Sequence, residues 1–432
     1  MIVGLGKSGV SCARYFAASG KACLVMDDHP GEDRLSELKA INQAKFVGAL
    51  DREVLAKADL LVMSPGVPLS HPEVRSAIEA GVDVTGDVAL FAKAARAPVI
   101  AITGSNGKST VTSLVGHLVG GCGMKAGVGG NIGTPCLDLL QTVPDVYVLE
   151  VSSFQLDTTR ELPVEIAVVL NLSPDHMDRY ADVSDYYASK ALIYGCCRQA
   201  VINRDIDYDF SISTASVVSF GADVPETEKD FGLVDDGRLW LVKGSSKLVA
   251  ADNLTIRGRH NALNALAALA LGECFGLEMS MMLEALTDFS GLPHRCEWVG
   301  RLGDMDFFND SKATNPASTI AAIEGLGNGQ QNLLLILGGQ SKSADFSQLD
   351  AAINSHVGQV LVFGQDAGVI EKQLSACVIH CGDVADLVNK ACELGKPGMS
   401  VLFSPACASF DMFNGYAERG DRFRREVQGR LQ

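Results

Sequence analysis

Ala97-Pro-Val-Ile-Ala-Ile-Thr-Gly-Ser-Asn-Gly-Lys-Ser-Thr110 is the stretch on which the reading of this chain turns. Its β-branched run, Val99 to Ile102, reads as a buried strand, the small residues after it as a turn, and the apolar spacing beyond Thr110 as a helix. Gly104 and Gly107 let the backbone turn sharply, with its N–H groups pointing inward. Lys108 adds a mobile positive charge, and the Ser109 hydroxyl suits Mg2+. The expected ligand is a nucleoside triphosphate. The usual loop carries a glycine six residues before its lysine; here that place is held by Ile102, so this is a shortened Gly-x-x-Gly-Lys-Ser variant.

Working outward, 432 residues at roughly 150 per domain suggest about three domains. With 47% hydrophobic and 20% charged residues the composition is globular. A net charge of -16 argues against nucleic acid as partner, because displacing counterions from phosphates needs basic faces. The twelve cysteines include no Cys-x-x-Cys pair, and the chain enters a strand at once with Met-Ile-Val-Gly-Leu-Gly. This reads as free thiols in a reducing cytoplasm. No apolar run approaches the roughly 20 residues that span a bilayer, so no membrane insertion is expected.

Ile2-Val3-Gly4-Leu5-Gly6-Lys7-Ser8-Gly9 is a strand end followed by Gly-x-Gly-x-x-Gly, with a helix expected over Ser11 to Ala18 and a second strand, Ala22 to Met26, ending at Asp27-Asp28. Alone, this is a dinucleotide fingerprint with its acidic residue about 20 positions on; glycines that only let helix and strand pack closely are the alternative. The first strand is short, as if a few N-terminal residues of a natural sequence were missing. Asp59 to Met63 predicts a third strand, stopped by Ser64-Pro-Gly-Val-Pro68, an inviting substrate loop.

Gly127-Val-Gly-Gly-Asn-Ile-Gly133 is expected to be a loop, too dense in glycine for regular structure. Asp145 to Glu150 reads as a buried strand with Glu150 at its carboxyl end, and Ile166 to Asn171 as another, with Ser173-Pro-Asp-His-Met-Asp-Arg179 beyond it. A carboxylate and the His176 imidazole thus reach the rim that carries Lys108 and Ser109, a plausible Mg2+ site; a packed or capping histidine is the bland alternative. Lys190 falls in a helix read over Ser184 to Tyr194, where a surface charge is the ordinary expectation. Phe231 to Val242 reads as a hairpin about an Asp-Gly turn. Asn261 and Asn264 open an alanine-rich helix, Asn261 to Cys274, and suit a base, a phosphate or a cap. Beyond Ser290 the pattern alternates again, with strands at Met305 to Asn309, Asn332 to Leu337, Gln359 to Phe363 and Ser400 to Phe403. Their loops carry Lys312 and Lys342, suited to an anionic second substrate. The expected fold is α/β in three domains: Rossmann-like 1–86, a central P-loop ATPase with a mainly parallel sheet 87–291, and Rossmann-like 292–432.

Seven motifs, in order, resemble one family. They are Thr103-Gly-Ser-Asn-Gly-Lys-Ser-Thr110, Glu150-Val-Ser-Ser-Phe-Gln-Leu156, Asp175-His-Met-Asp-Arg-Tyr180, His260-Asn-x-x-Asn264, Leu292-Pro-His-Arg295, Asn309-Asp-Ser-Lys-Ala-Thr-Asn315 and Ser404-Pro-Ala-Cys-Ala-Ser409. The chain is similar over essentially its whole length to the Mur ligases, and in motif spacing to those that add D-glutamate. The resemblance implies an ATP-dependent amide ligase of the cytoplasmic, peptidoglycan-building pathway, acting through an acyl phosphate. The implied substrates are UDP-N-acetylmuramoyl-L-alanine and D-glutamate, and the implied state is a monomer.

By that resemblance the first fingerprint holds a uridine diphosphate, not NAD, with Ser8, Asp27, Asp28, Gly66 and Asn131 nearby. Gly104, Ser105, Asn106, Gly107, Lys108, Ser109 and Thr110 would hold ATP, helped by Asn264, Arg295 and Asp310. Ser109, Glu150, His176 and Lys190 would hold Mg2+, as two ions, with Lys190 carbamylated by CO2. Lys108, His176, Lys190 and Lys312 would be catalytic, and Thr314, Lys342, Ser409 and Tyr416 would take the amino acid. Two departures stand out: Gln340 replaces an acidic residue of the family, and Tyr416 replaces a phenylalanine. A related ligase with another amino acid or a folate glutamate tail, a nucleotide-binding regulator and an NAD-dependent oxidoreductase are the rival readings. The three substrates implied also lead to the expectation that the third domain closes on the others.

Overall fold

The computed structural model describes residues 1–432 apart from Arg160, Asp178, Ala215, Lys342, Ser343 and Gln432. Three sheets follow one another along the chain. The first contains β1 (Ile2–Val3), β2 (Cys23–Met26), β3 (Ala44–Gly48), β4 (Leu61–Met63) and β5 (Val84–Gly86). Their order is β3-β2-β1-β4-β5, all parallel, so the order in which strands are added across the sheet switches sides at β1 and β4 and leaves a crevice at the carboxyl ends there. The helix beyond β1 runs Lys7–Ala18, a turn earlier than the apolar spacing predicts, because the glycine loop itself supplies the first turn. A Cβ at Gly9 would lie 2.1 Å from the Gly4 carbonyl oxygen, so only glycine allows helix and strand this close.

The second sheet is built on β6 (Val99–Thr103), β7 (Ala126–Gly130), β8 (Val146–Glu150), β9 (Val164–Val169), β10 (Cys197–Asn203) and β11 (Ser216–Phe220). They run β11-β10-β9-β6-β8-β7, all parallel. β12 (Phe231–Asp235) joins β11 through Phe220 and Phe231, and β13 (Leu239–Lys243) and β14 (Ser246–Ala250) follow. Gly237, at φ 98°, occupies the predicted Asp-Gly turn.

One expectation fails here. The glycine-dense stretch opens as strand β7, paired with β8 from Ala126↔Val146 to Gly130↔Glu150. Its glycines answer to crowding: a Cβ at Gly127 would meet the Tyr147 ring at 2.9 Å, one at Gly129 the Thr134 carbonyl oxygen at 2.2 Å, and one at Gly130 the Glu150 carbonyl oxygen at 2.3 Å. Only the residues after Gly130 turn away as a loop.

The third sheet contains β15 (Glu297–Leu302), β16 (Met305–Asn309), β17 (Leu333–Gly338), β18 (Val357–Phe363), β19 (Val378–His380) and β20 (Ser400–Phe403), in the order β15-β16-β20-β17-β18-β19. All pairings are parallel except β15 with β16. Leu333, Leu335 and Leu337 pack into one apolar cluster and Leu334 and Ile336 into another, the signature of a sheet covered on both faces. The chain gathers into two compact units, residues 1–232, 243–246 and 266–285 in one and the remainder in the other. Within the first unit the cores of two sheets are continuous, with Phe91 edge-on to Tyr147 at 4.9 Å.

Candidate active site

The phosphate loop leaves β6 between its two neighbours, so the residues ending β8 and β9 must flank it. Register puts Ile102 beside Glu150 and Thr103 beside Val169. Gly104 has φ 152°, Gly107 has φ 79°, and the helix Lys108–Gly121 starts directly from the second glycine. Lys108 curls back on the loop, its Nζ donating to the carbonyls of Gly104 and Ser105 at 2.8 Å each. The helix N-terminus, its dipole and this ammonium all favour an anion at one point.

Glu150 is buried, at 3% exposure, and both its oxygens are engaged. Ser109 Oγ donates to Oε2 at 2.6 Å, and Asn131 Nδ2 donates to Oε1 at 2.8 Å. The structure therefore unites Ser109, Glu150 and Asn131, with Asn131 orienting the carboxylate. A hydroxyl and a carboxylate at a phosphate loop are the hard oxygen donors that Mg2+ takes, together with water and phosphate oxygens. Such a site needs no protein cage, and among the described residues no group of three or more His, Cys, Asp or Glu forms one.

Lys190 departs furthest from the ordinary expectation of a surface charge. It lies on the helix Val183–Ala191 at 2% exposure, with Nζ donating to the Gly104 carbonyl at 2.9 Å and standing 4.6 Å above the Tyr186 ring. Burial first, and then the Lys108 charge, lowers its pKa to about 7, against the pull of Asp175, Asp157 and Glu150. Tyr186 is buried in turn, with its hydroxyl 3.3 Å from Ser105 Oγ.

His176 sits at φ 58° on the loop after β9, with its side chain 47% exposed. Its Nε2 is 3.7 Å from Asp175 Oδ2 and its ring is edge-on to Phe154 at 5.0 Å. Among the described hydrogen bonds none links it to Glu150 or Ser109. On the same loop Arg179 lies over Phe154 at 4.2 Å and donates to the carbonyls of Pro65 and Gly66 at 3.3 Å each.

In the first sheet, Asp27 accepts from the Leu5 N–H at 2.5 Å and from the His29 N–H at 2.7 Å. Asp28 accepts from the Leu50 N–H at 2.8 Å and faces His71 Nε2 at 3.2 Å. Both carboxylates thus shape the loops at the crevice. Ser8 reaches the buried Asp87, which also takes Gln155 Nε2 on both oxygens at 3.2 Å and the Val88 N–H at 2.9 Å. Burial raises the Asp87 pKa.

In the third sheet the loops after β16, β17 and β20 come together. Lys312 Nζ stands 4.4 Å over the Tyr416 ring, and Ser409 is buried while Thr314 is exposed. Asp310 accepts from Ser404 Oγ at 2.8 Å and the Cys296 N–H at 3.1 Å; burial pushes its pKa up to about 7, and the Arg295 charge opposes that. Gln340 pairs by its backbone with Ala408. Asn264 donates to Asn261 Oδ1 at 3.1 Å at the start of the helix Arg259–Phe275. Lys342 lies outside the described residues.

Three family models match successive parts of the chain: a Mur ligase MurD-like N-terminal domain over residues 1–86, a Mur ligase middle domain over 102–272, and a Mur ligase glutamate ligase domain over 294–407. UDP-N-acetylmuramoylalanine--D-glutamate ligase of Hahella chejuensis is 45% identical, covering 99% of this chain and 97% of its own. The protein of the same name from Marinobacter nauticus is 44% identical, covering 99% and 98%. The chain belongs to the Mur ligase family. A solved structure of MurF ligase from Thermotoga maritima in complex with ADP aligns with TM-score 0.61 at 18% identity, over 99% of this chain and 98% of that one, so the fold is shared with that Mur ligase too.

Several residues of this Mur ligase site escape a reading of motifs. Asn171 and Tyr186 support the phosphate loop, and Asp87 is buried beside Ser8 of the first glycine loop. Arg419 is wholly buried: it donates to Ser311 Oγ at 3.0 Å and to the carbonyls of Ser311, Gly338 and Cys407 at 2.8, 3.3 and 3.0 Å. It ties together the loops after β16, β17 and β20. Its signal lay in helical spacing, since Phe423 and Val427, four and eight residues on, line the same buried face.

Proposed function

We propose that this Mur ligase joins D-glutamate to UDP-N-acetylmuramoyl-L-alanine, consuming ATP and releasing ADP and phosphate, in peptidoglycan precursor synthesis. The observation that carries the reading is near-full-length identity of 45% with a protein named for that reaction. The chemistry begins at the phosphate loop. Gly104 to Thr110 and Lys108 bind the triphosphate, while Asn264, Arg295 and Asp310 are assigned to the rest of ATP. An L-alanine carboxylate oxygen attacks the γ-phosphorus, and the bond to the ADP oxygen breaks. The D-glutamate nitrogen then attacks the acyl-phosphate carbon, phosphate leaves, and the amine sheds a proton, for which His176 is the proposed acceptor.

Ser109 and Glu150 would hold Mg2+, with His176 and Lys190 as further candidates for one of two ions, and the chemistry supplied there would be neutralisation of phosphate charge. Lys190 supplies the right starting state for a carbamate, since only an unprotonated amine attacks CO2, forming the N–C bond and losing a proton. Burial that lowers its pKa to about 7 provides that amine near neutrality. Ser8, Asp27, Asp28, Gly66 and Asn131 are assigned to the sugar nucleotide, and Lys312, Thr314, Lys342, Ser409 and Tyr416 to the amino-acid side. Domains at 1–86, 87–291 and 292–432, a monomeric state and a cytoplasmic location complete the proposal. Among the described residues no helix is long and apolar enough to cross a membrane. The test is ADP release with UDP-N-acetylmuramoyl-L-alanine against a panel of amino acids; preference for any acceptor other than D-glutamate defeats the assignment.

A further inference from the structure

The loop after β9 does more than carry His176. The Asn171 carboxamide pairs with both backbone polar groups of one phosphate-loop residue, bridging the two peptide planes that meet at the Asn106 Cα. Its Oδ1 accepts from the Asn106 N–H at 2.8 Å, and its Nδ2 donates to the Asn106 carbonyl at 3.0 Å. The Asn171 carbonyl accepts from the Ser105 N–H at 3.0 Å. Two residues on, Ser105 Oγ donates to the Ser173 carbonyl at 2.9 Å and accepts from the Ser173 N–H at 3.0 Å. Five hydrogen bonds therefore hold two consecutive loop residues.

Those two residues need holding. They stand between Gly104 and Gly107, both at positive φ, where the chain has the most freedom to lose on ordering. A phosphate loop serves its ligand only if its backbone is ordered before the ligand arrives. In this shortened variant Ile102 occupies the place of the customary first glycine and is buried in β6. Order must come from elsewhere, and a carboxamide offering one donor and one acceptor is the group that can hold the two peptide planes flanking a single Cα against rotation.

We infer that Asn171 is a positioning residue for the nucleotide, a latch that fixes the Ser105-Asn106 backbone so that the N-terminus of helix Lys108–Gly121 meets the ATP phosphates preformed. The inference rests on the reading of the loop as the ATP site. It also ties the phosphate loop to the segment bearing Ser173 and His176.

The test is a steady-state comparison of wild type, Asn171→Ala and Asn171→Asp, varying ATP, the sugar nucleotide and D-glutamate in turn, with ADP binding measured by calorimetry. The aspartate keeps the shape but turns an acceptor toward the Asn106 carbonyl. Losing both bonds in the alanine variant, or the donor with acceptor set against acceptor in the aspartate, is expected to raise the KM for ATP and the Kd for ADP about tenfold or more, with the other two KM values within twofold of wild type. Should Asn171→Ala fail to fold, Asn171→Asp, which keeps the volume of the side chain, carries the same comparison. An unchanged KM for ATP, or an equal rise in all three, overturns the latch. If wild type binds ADP but turns over no amino acid, the proposed reaction falls, and the ADP affinities alone still judge the latch.

Discussion

Lys190 is held at a cost. An ammonium at 2% exposure keeps one hydrogen bond, to a carbonyl, and a tyrosine face, in exchange for its water. The proposed role of Lys190 in the reaction accounts for keeping such a group. Lys190→Met should therefore abolish turnover while raising the melting temperature by a few degrees, the trade usual at strained sites; scanning calorimetry beside the ADP assay checks both, and a lower melting temperature contradicts it. Asp87 gives a pH-dependent counterpart. Burial raises its folded pKa, so the stability it contributes is fully present below its unfolded pKa, about 4, and is lost as pH rises through the folded value. Asn at this position resembles the protonated acid. The stability of Asp87→Asn relative to wild type should thus be greater at pH 7.5 than at pH 4 in urea titrations; no difference between the two pH values would contradict the assignment.

Among the elements, those with one dominant demand were legible. β6, β8 and β9 are apolar runs with polar residues at or just beyond their ends, and each stands close to where its apolar run puts it. The same logic placed Glu150 at the rim but stopped short of Asn171, whose role depends on which strands neighbour β6. β7 was misread because glycine serves two ends, turning and close approach, and sequence does not separate them. Here the crowding of Gly129 against the Thr134 carbonyl decides, so Gly129→Ala should cost about 1–3 kcal/mol in urea unfolding, by overpacking. A substitution without effect would show that the edge strand yields freely. Arg419 was hidden for another reason, and Lys190 stood out only through the family resemblance: a charge reads as solvated until the structure buries it. Ser109→Ala, removing the hydroxyl 2.6 Å from Glu150, should lower kcat at least tenfold while melting within a degree or two of wild type. Wild-type rates in that variant would separate the pair from the chemistry.

On the scale of the molecule, motif order carried more than any single motif. The first fingerprint alone pointed to NAD and the phosphate loop alone to any ATPase. Three sheets of mainly parallel strands offer loops at their carboxyl ends, where the proposed function places a nucleotide-sugar, a triphosphate and an amino acid. The residues that shape those loops from beneath, Asp87, Asn171 and Arg419, were not legible because their partners are brought together only by the fold. In the proposed reaction the phosphate loop and Glu150 serve activation of the acyl group that the amino acid then attacks. The most direct measurement is ADP release by wild-type protein with ATP, Mg2+ and UDP-N-acetylmuramoyl-L-alanine, with each amino acid of a panel added singly. ADP formation that depends on D-glutamate and yields the amide is the result predicted; ADP formation indifferent to the amino acid, or greatest with a different one, would contradict it.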